Sequence, residues 1–235
     1  MALKQKVDYF GLSASGFEVT DTAENKAAGF IAEARGDDNF LVAVDAAGEV
    51  IKPTVDYVVT GSAELTSVKL GDVKEILGKK IALGGITINT AAGQAPTMQA
   101  TGSQIEDNGT AHCTATLAGV QLSPLYHAQD FGLFTVTNGQ LNSSTLTIEG
   151  EIGTTTVDGV IKSSDLVGAS MRVAGSIVGV TDNGTIATPS VTINAPSGNV
   201  LSGVMTTPLS ETNSNGQFPV YNFECMWGVK ADANG

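Results

Sequence analysis

Apolar and polar side chains alternate along much of the chain with a period of two residues. In the segment "TLTIEGEI" (145–152), Leu146 and Ile148 share one face, and Glu149 and Glu151 share the other. Successive side chains of a β-strand point to opposite faces of its sheet. The alternation therefore predicts strands with one buried face and one face left for solvent or contacts.

The same period recurs in many short segments that are separated by turn residues. We predict strands over 16–20, 29–34, 39–44, 55–60, 63–70, 79–89, 97–101, 110–117, 132–137, 145–152, 170–180, 188–194 and 218–229. This number of short strands indicates a mainly β chain. We predict an antiparallel β-sandwich or barrel that forms a single domain over residues 1–235.

Asn-Gly pairs mark the predicted hairpins, because both residues tolerate the positive φ of a type I′ turn. Four of them separate alternating segments, a fifth (Asn234-Gly235) is the chain end, and one Asp-Gly pair is of the same kind. The predicted hairpin turns are Asn108-Gly109, Asn138-Gly139, Asp158-Gly159, Asn183-Gly184 and Asn215-Gly216.

The segment "SPLYHAQD" is the best helix candidate in the chain. Ser123 is a favourable N-cap, and Pro124 is tolerated at the first helical position. We predict one short α-helix flanking the sheet over about residues 123–131, with Ser123, Pro124 and His127 in packing roles. Residues 21–28 would form a second helix or a polar loop.

Charge is unevenly distributed along the 235 residues, which carry 12 Lys and Arg, 24 Asp and Glu and a formal net charge of −12. Residues 81–161 contain no Lys or Arg. A nucleic-acid binder needs these residues to displace counterions, so no nucleic-acid binding is expected. The segment is either a solvated acidic surface or one that polyanions pass without sticking. Its six acids are Glu106, Asp107, Asp130, Glu149, Glu151 and Asp158.

The chain shows no catalytic constellation. His127 and Asp130 would share one face of the predicted helix, but Ser123 is better explained as a cap than as their nucleophile. The segment "GLSASG" (11–16) lacks the spacing of a nucleophile elbow. We therefore predict that the protein is not an enzyme and uses no cofactor.

Metal ligands are equally scarce. His112 and Cys113 are adjacent in a predicted strand, so their side chains point to opposite faces and cannot chelate one ion. The acidic segments "RGDDN" (35–39) and "EDNG" (106–109) do not follow the spacing of an EF-hand, and turn chemistry explains both, so only loose calcium binding stays open for them. Two cysteines do not make a disulfide framework, and whether Cys113 pairs with Cys225 stays open.

The sequence lacks the apolar segments that targeting and membrane insertion need. Its start, "MALKQKVDYFGLS", has no apolar core of a secretory signal. No apolar run approaches the roughly 18 residues of a membrane span. We expect a protein that folds in a cytoplasm and has no membrane partner.

The order of elements resembles that of the major tail tube proteins of tailed bacteriophages and their prophage relatives. The run "GKKIALGGITINTAAGQAPTMQATGSQI" precedes a Thr-alternating strand and the segment "SPLYHAQDF". The pair "LNSSTLTIEGEIG" and "GASMRVAGSIVG" then follows. The resemblance is one of element order, not of an invariant motif, and covers roughly residues 55–230.

The resemblance implies a virion structural protein that self-assembles in the cytoplasm of a host bacterium. Six copies would form a ring, and rings would stack into a tail tube with other virion tail proteins. The inner sheets would join around a channel through which DNA passes without specific binding. Glu149 and Glu151 would face this lumen, residues 1–15 would form an N-terminal arm, and residues 30–54 an extended inter-subunit loop.

The family builds its wall from long hairpins, and the sequence does not identify a strand pair that is long enough. Other functions therefore stay open: a capsid decoration, fibre or head–tail joining protein of a phage, or a carbohydrate-binding or adhesin β-domain. The last would use Tyr221, Phe223 and Trp227 as a platform, although their period of two fits a core strand better.

Overall fold

The computed structural model describes residues 6–35, 41–65, 68–105, 113–157, 160–182, 185–194, 198–212 and 218–232. Strands account for 65% of the chain and helix for 2%, and the sheets are antiparallel. The predicted mainly β, antiparallel fold is confirmed. Among the described residues, no helix is long and apolar enough to cross a membrane.

A short 3-10 helix, Ser13–Ser15, precedes the first strand. The strands are β1 (Phe17–Arg35), β2 (Leu41–Val59), β3 (Ala63–Glu64), β4 (Lys69–Leu70), β5 (Val73–Ile76), β6 (Lys79–Ala91), β7 (Thr97–Gln104), β8 (Ala115–Thr116), β9 (Gln121–Leu122), β10 (Phe134–Thr137), β11 (Gly139–Val157), β12 (Val160–Gly179), β13 (Thr181–Asp182), β14 (Thr185–Ile186), β15 (Ser190–Ile193), β16 (Val204–Thr212) and β17 (Val220–Val229).

One large antiparallel sheet organises the described part of the chain. Its strand order is β1-β2-β7-β6-β11-β12-β17-β16, and β5 pairs with β6 off this path. Four two-stranded ladders complete the fold: β3–β9, β4–β8, β10–β15 and β13–β14.

The core lies on one face of the large sheet. Ile88, Leu146, Val173 and Cys225 are neighbours across β6, β11, β12 and β17, and all are fully buried. Apolar side chains of the ladders β3–β9, β4–β8 and β10–β15 belong to the same buried cluster or pack against it. The ring of Phe134 on β10 meets Phe223 edge to face at 5.2 Å. The large sheet and these three ladders are thus two layers around one core.

Two hairpins are much longer than the rest of the sheet. β7 pairs with β2 only over Thr54–Val58. The earlier part of β2, from Leu41 to Pro53, has β1 as its one described partner strand. We call Glu24–Arg35 with Leu41–Pro53 the first arm. β11 pairs with β6 as far as Glu149, and β12 pairs with β17 as far as Ala169. Beyond these residues β11 and β12 pair only with each other among the described strands, and we call this part, Gly150–Val157 with Val160–Gly168, the second arm.

Both arms project from the same end of the sheet. Thr54, Thr101, Gly85 and Glu149 lie in one row across β2, β7, β6 and β11. Neighbouring strands alternate in direction, so β2 and β11 run antiparallel to each other. The part of β2 that leads back to Leu41 and the part of β11 that leads on to Val157 therefore lie on the same side of this row. We call this side the arm end and the opposite side, which holds the turn between β6 and β7, the loop end.

The helix predicted over 123–131 is wrong, because this segment is an irregular loop with a bend over residues 125–127. The Gln129 side chain accepts from the Ser123 amide (2.8 Å) and donates to the Ser123 carbonyl (2.7 Å). A helix this short has marginal stability on its own. Here the Gln129 side chain already bonds the N–H and C=O groups of Ser123, which favours the loop. Ser123 and Pro124 are half-buried, whereas His127 is exposed, so its predicted packing role is also wrong.

The segments predicted as an N-terminal arm and an inter-subunit loop are described in part. Residues 30–35 and 41–54 belong to the paired strands β1 and β2, so they form a ribbon instead of a loop, and their contact with other subunits remains a prediction. Within 1–15, Phe10 and Leu12 are buried in the core, which fastens the described part of this segment. Residues 21–28 belong to β1, so neither the second helix nor the polar loop is formed.

Three of the predicted hairpins have the expected strand pairing, and one does not. The strands that flank 158–159, 183–184 and 215–216 pair as predicted, although these turns lie outside the described residues, as does Asn108-Gly109. The hairpin predicted at Asn138-Gly139 is wrong, because β10 pairs with β15. Asn138 has the positive φ (59°) that was expected, but it makes a corner between two sheets.

Candidate functional site

The face of the large sheet that points away from the core is lined by hydroxyl, amide and charged groups. Thr87, Thr147 and Arg172 are neighbours across β6, β11 and β12. Gln99 and Asp56 continue this row across β7 and β2, and Gln99 Nε2 donates to Asp56 Oδ1 at 2.8 Å. In the next row, Thr145 Oγ1 donates to Asn89 Oδ1 at 2.9 Å. We call this surface the polar face.

Acidic side chains extend over the whole polar face. Arg172, a cation near its centre, forms an ion pair with Glu224, with 3.4 Å between Nη1 and Oε1. Strand register and alternation place these acids on the face: Glu18, Asp21, Asp56, Glu149, Glu151 and Glu224.

Glu149 and Glu151 lie on the polar face near the arm end, and both are exposed. Glu149 is opposite Gly85 on β6, and Glu151 is opposite Gly168 on β12. Because a glycine has no side chain, neither carboxylate is covered from these positions. The two acids line a shallow cleft of about 640 Å³. Their orientation away from the core follows the predicted alternation; whether they face a channel remains a prediction.

The arms have long open edges. At about 3.3 Å per residue, β2 continues roughly 40 Å without a lateral partner strand other than β1 in the described chain. One side-chain contact marks its base, where the Ile51 amide donates to Gln104 Oε1 at 3.2 Å. The second arm is held at its base by the buried Leu166 and by Asp165 Oδ1, which accepts from the Cys113 amide at 2.6 Å.

A second cleft, of about 650 Å³, lies at the loop end beside residues 123–131. His127 and Asp130 both line it, together with Gln121 and Thr135. The structure thus brings the predicted His–Asp pair into one cleft without the predicted helix. Within the described residues no group of three or more His, Cys, Asp or Glu is placed to hold a metal ion. His112 and the segment 106–109 lie outside the described residues.

Near each end of the chain a carboxylate fastens the segment that carries it. Asp232 accepts hydrogen bonds from Thr114 Oγ1 (2.7 Å), from the amide and hydroxyl of Thr116 (3.1 and 2.9 Å) and from Asn199 Nδ2. Burial alone would raise the pKa of Asp232, but the hydrogen bonds from Thr114 and Thr116 and the charge of Lys69 outweigh it and lower the pKa below its ordinary value.

Asp8 plays the same part near the start. It accepts from the Tyr57 hydroxyl and from the Ser13 amide, each at 2.7 Å. Burial opposes the charged form, but the bonds from Ser13 and Tyr57 still leave the pKa of Asp8 lowered. Local sequence does not reveal either role, because Tyr57 is 49 residues from Asp8 and Thr114 is 118 residues from Asp232.

The C-terminal aromatic residues belong to the core. Tyr221, Phe223 and Trp227 on β17 are all buried, which excludes them as an exposed sugar platform. Cys113 is half-buried and Cys225 is buried, and the two do not form a disulfide.

No known protein family matches the chain, and a search of curated proteins finds no match either.

Proposed function

We propose that this protein is a self-assembling virion structural protein, and specifically a tail tube subunit. Six copies would form a ring, and stacked rings would surround a channel for DNA. The two arms are the observation on which this proposal depends. Assembly would take place in a bacterial cytoplasm, and the mature location would be the virion tail, in contact with other tail proteins.

The arms support assembly because a two-stranded ribbon alone is only marginally stable in water. An unpaired strand edge also presents a row of N–H and C=O groups that another chain can pair with. This chain builds two such ribbons and directs both from one end of its sheet. Pairing or packing with neighbouring copies would satisfy these edges.

The large sheet offers a surface suited to a channel wall. Its two edge strands, β1 and β16, would meet those of neighbouring copies and make the wall continuous. The polar face would then line the channel with hydroxyl, amide and carboxylate groups. An acidic wall repels phosphates, so DNA would pass without being retained.

Negative-stain electron microscopy over a concentration series tests the proposal directly. Six-membered rings or tubes with a central channel are the expected result. A monodisperse monomer at every concentration would contradict it, and trimers without tubes would favour capsid decoration.

Shortening the first arm tests the observation itself. In the variant, residues 27–50 are replaced by Asn-Gly, which joins Lys26 to its cross-strand partner Ile51. Because the described residues among those removed pair only between β1 and β2, we expect circular dichroism and thermal unfolding close to those of the parent protein, with tube formation lost. Normal tubes from the shortened protein would show that the first arm plays no part in assembly.

A further inference from the structure

Large apolar side chains are exposed at the loop end. Leu125 and Tyr126, at the tip of the segment 123–131, are 60% and 66% exposed. Two exposed large apolar side chains thus stand side by side, next to the cleft lined by His127 and Asp130.

The tip is held in place by hydrogen bonds. Tyr126 O accepts from the Gly93 amide at 2.9 Å. The Gln129 amide donates to Thr90 Oγ1 at 2.9 Å, and Ser144 Oγ donates to Gln129 O at 2.6 Å. Thr90, Gln129 and Ser144 are all buried. A segment fastened in this way presents Leu125 and Tyr126 at low entropic cost for a contact.

A third exposed apolar residue lies at the arm end. Leu77 is 57% exposed at the turn between β5 and β6, with φ of 53°, and Gly78 follows with φ of 70°. Two successive positive φ angles favour Asn-Gly, and a bulky residue is uncommon there. Leucine at this position therefore sacrifices turn stability and exposes an apolar side chain, which indicates a contact role.

The charges beside the two apolar sites are complementary. Lys79 and Lys80 follow the Leu77 turn, and both are exposed. At the other end, Asp130 is exposed in the cleft, and residues 81–161 contain no Lys or Arg. Moving one copy along its strand axis would bring Lys79 and Lys80 of one molecule toward Asp130 in the cleft of another.

We propose that the Leu77 turn of one copy docks on Leu125, Tyr126 and the adjoining cleft of a second copy. The inference rests on the proposed self-assembly and names a contact within it. Because different surfaces meet, the contact is heterologous and can repeat without closing, which produces a stack. The first arm of each copy would run alongside its neighbour.

The contact is small, so a single pair is weak. A ring that engages several such contacts at once gains strength through their combined effect. We therefore expect monomers at low concentration and stacking only when rings form.

Cysteine cross-linking tests the docking. The variant carries Leu77→Cys and Tyr126→Cys in a Cys113→Ser background, with the buried Cys225 retained. After assembly and mild oxidation, we expect a ladder of covalent multimers on a denaturing gel. Each single-cysteine variant is the matched control and should yield dimers at most.

The outcomes separate this inference from the proposed function. Tubes without a ladder would overturn the docking and leave the tube function standing. A ladder without tubes would support the docking and contradict the tube function. Neither tubes nor a ladder, with a parent protein that also fails to assemble, would overturn both.

A second pair of variants avoids the problem of unfolding. Leu77→Asn suits the positive φ of the turn and should preserve or raise thermal stability, yet raise the concentration needed for stacking about tenfold or more. Leu77→Met keeps the apolar character and should stack at the parent concentration. Equal stacking by both variants would overturn the docking.

Discussion

At the scale of single residues, two carboxylates fasten the first and last described segments of the chain. Asp232 gathers hydrogen bonds from Thr114, Thr116 and Asn199, which ties the last described residues to β8. Asp8 does the same for the first segment through Tyr57 and Ser13. Both pKa values are lowered, so both carboxylates contribute stability in their charged form.

Replacing Asp232 with Ala should lower the free energy of unfolding at pH 7 by about 1 kcal/mol, since a partly exposed set of hydrogen bonds is lost. The folded pKa lies below the unfolded value of about 3.9. The contribution of Asp232 is therefore complete above the unfolded pKa and disappears as the pH falls through the folded pKa.

Urea unfolding at several pH values checks this expectation. The difference between parent and variant should shrink as the pH falls below about 4. Glu75→Ala, at an exposed position, serves as the control. A difference that stays constant down to pH 2 would contradict the role of the charged carboxylate.

At the scale of elements, one side chain decides the structure of residues 123–131. Gln129 closes a ring with the backbone of Ser123, while its own backbone bonds Thr90 and Ser144. The segment therefore becomes a fixed loop instead of a helix. The same fixation presents Leu125 and Tyr126 at the loop end.

Gln129→Ala should lower the free energy of unfolding by about 2 kcal/mol, because the backbone groups of Ser123 lose their partners in a part-buried site. Faster amide hydrogen exchange at Ser123 and Gly93 is the specific readout, since both amides belong to this loop. Gln121→Ala, at an exposed position in the same cleft, is the control. Unchanged exchange at Ser123 would contradict the prediction.

At the scale of the whole molecule, the sheet separates two tasks. One face packs the core, and the other presents acids and hydroxyls to whatever lies outside. The arms leave one end of this sheet, and the fixed loop lies at the other. This polarity favours an assembly with a direction, as a stack of identical rings would need.

Reversing the charge of Glu149 and Glu151 to Lys should leave the fold intact, because both are exposed opposite glycines. In assembled tubes, the variant should retain double-stranded DNA that the parent protein releases, and the retention should fall as salt rises. Co-sedimentation of labelled DNA with tubes measures this effect.

The Glu149→Gln, Glu151→Gln variant is the matched control, because it removes charge without adding cations. It should retain far less DNA than the Lys variant. Equal, low retention by parent, Gln and Lys variants would place these two residues outside the channel.

The sequence by itself determined the features that depend on local pattern. Period-two alternation predicted the mainly β fold. It also placed Glu149 and Glu151 on the face of their strand that points away from Leu146 and Ile148. Alternation works here because a strand exposes its side chains in turn to a dry and a wet face. Composition likewise showed that residues 81–161 carry no Lys or Arg.

Only the tertiary structure decided features that depend on distant partners. Ser123 and Pro124 carry sound local signals for a helix start, but Gln129 and the buried hydroxyls of Thr90 and Ser144 outcompete them. The length of the arms was equally hidden, because strand pairing extends through segments whose local pattern is weak. The local sequence pattern indicates which face of a strand a side chain occupies. Pairing between distant segments decides where a strand ends and which side chains and backbone groups come into contact.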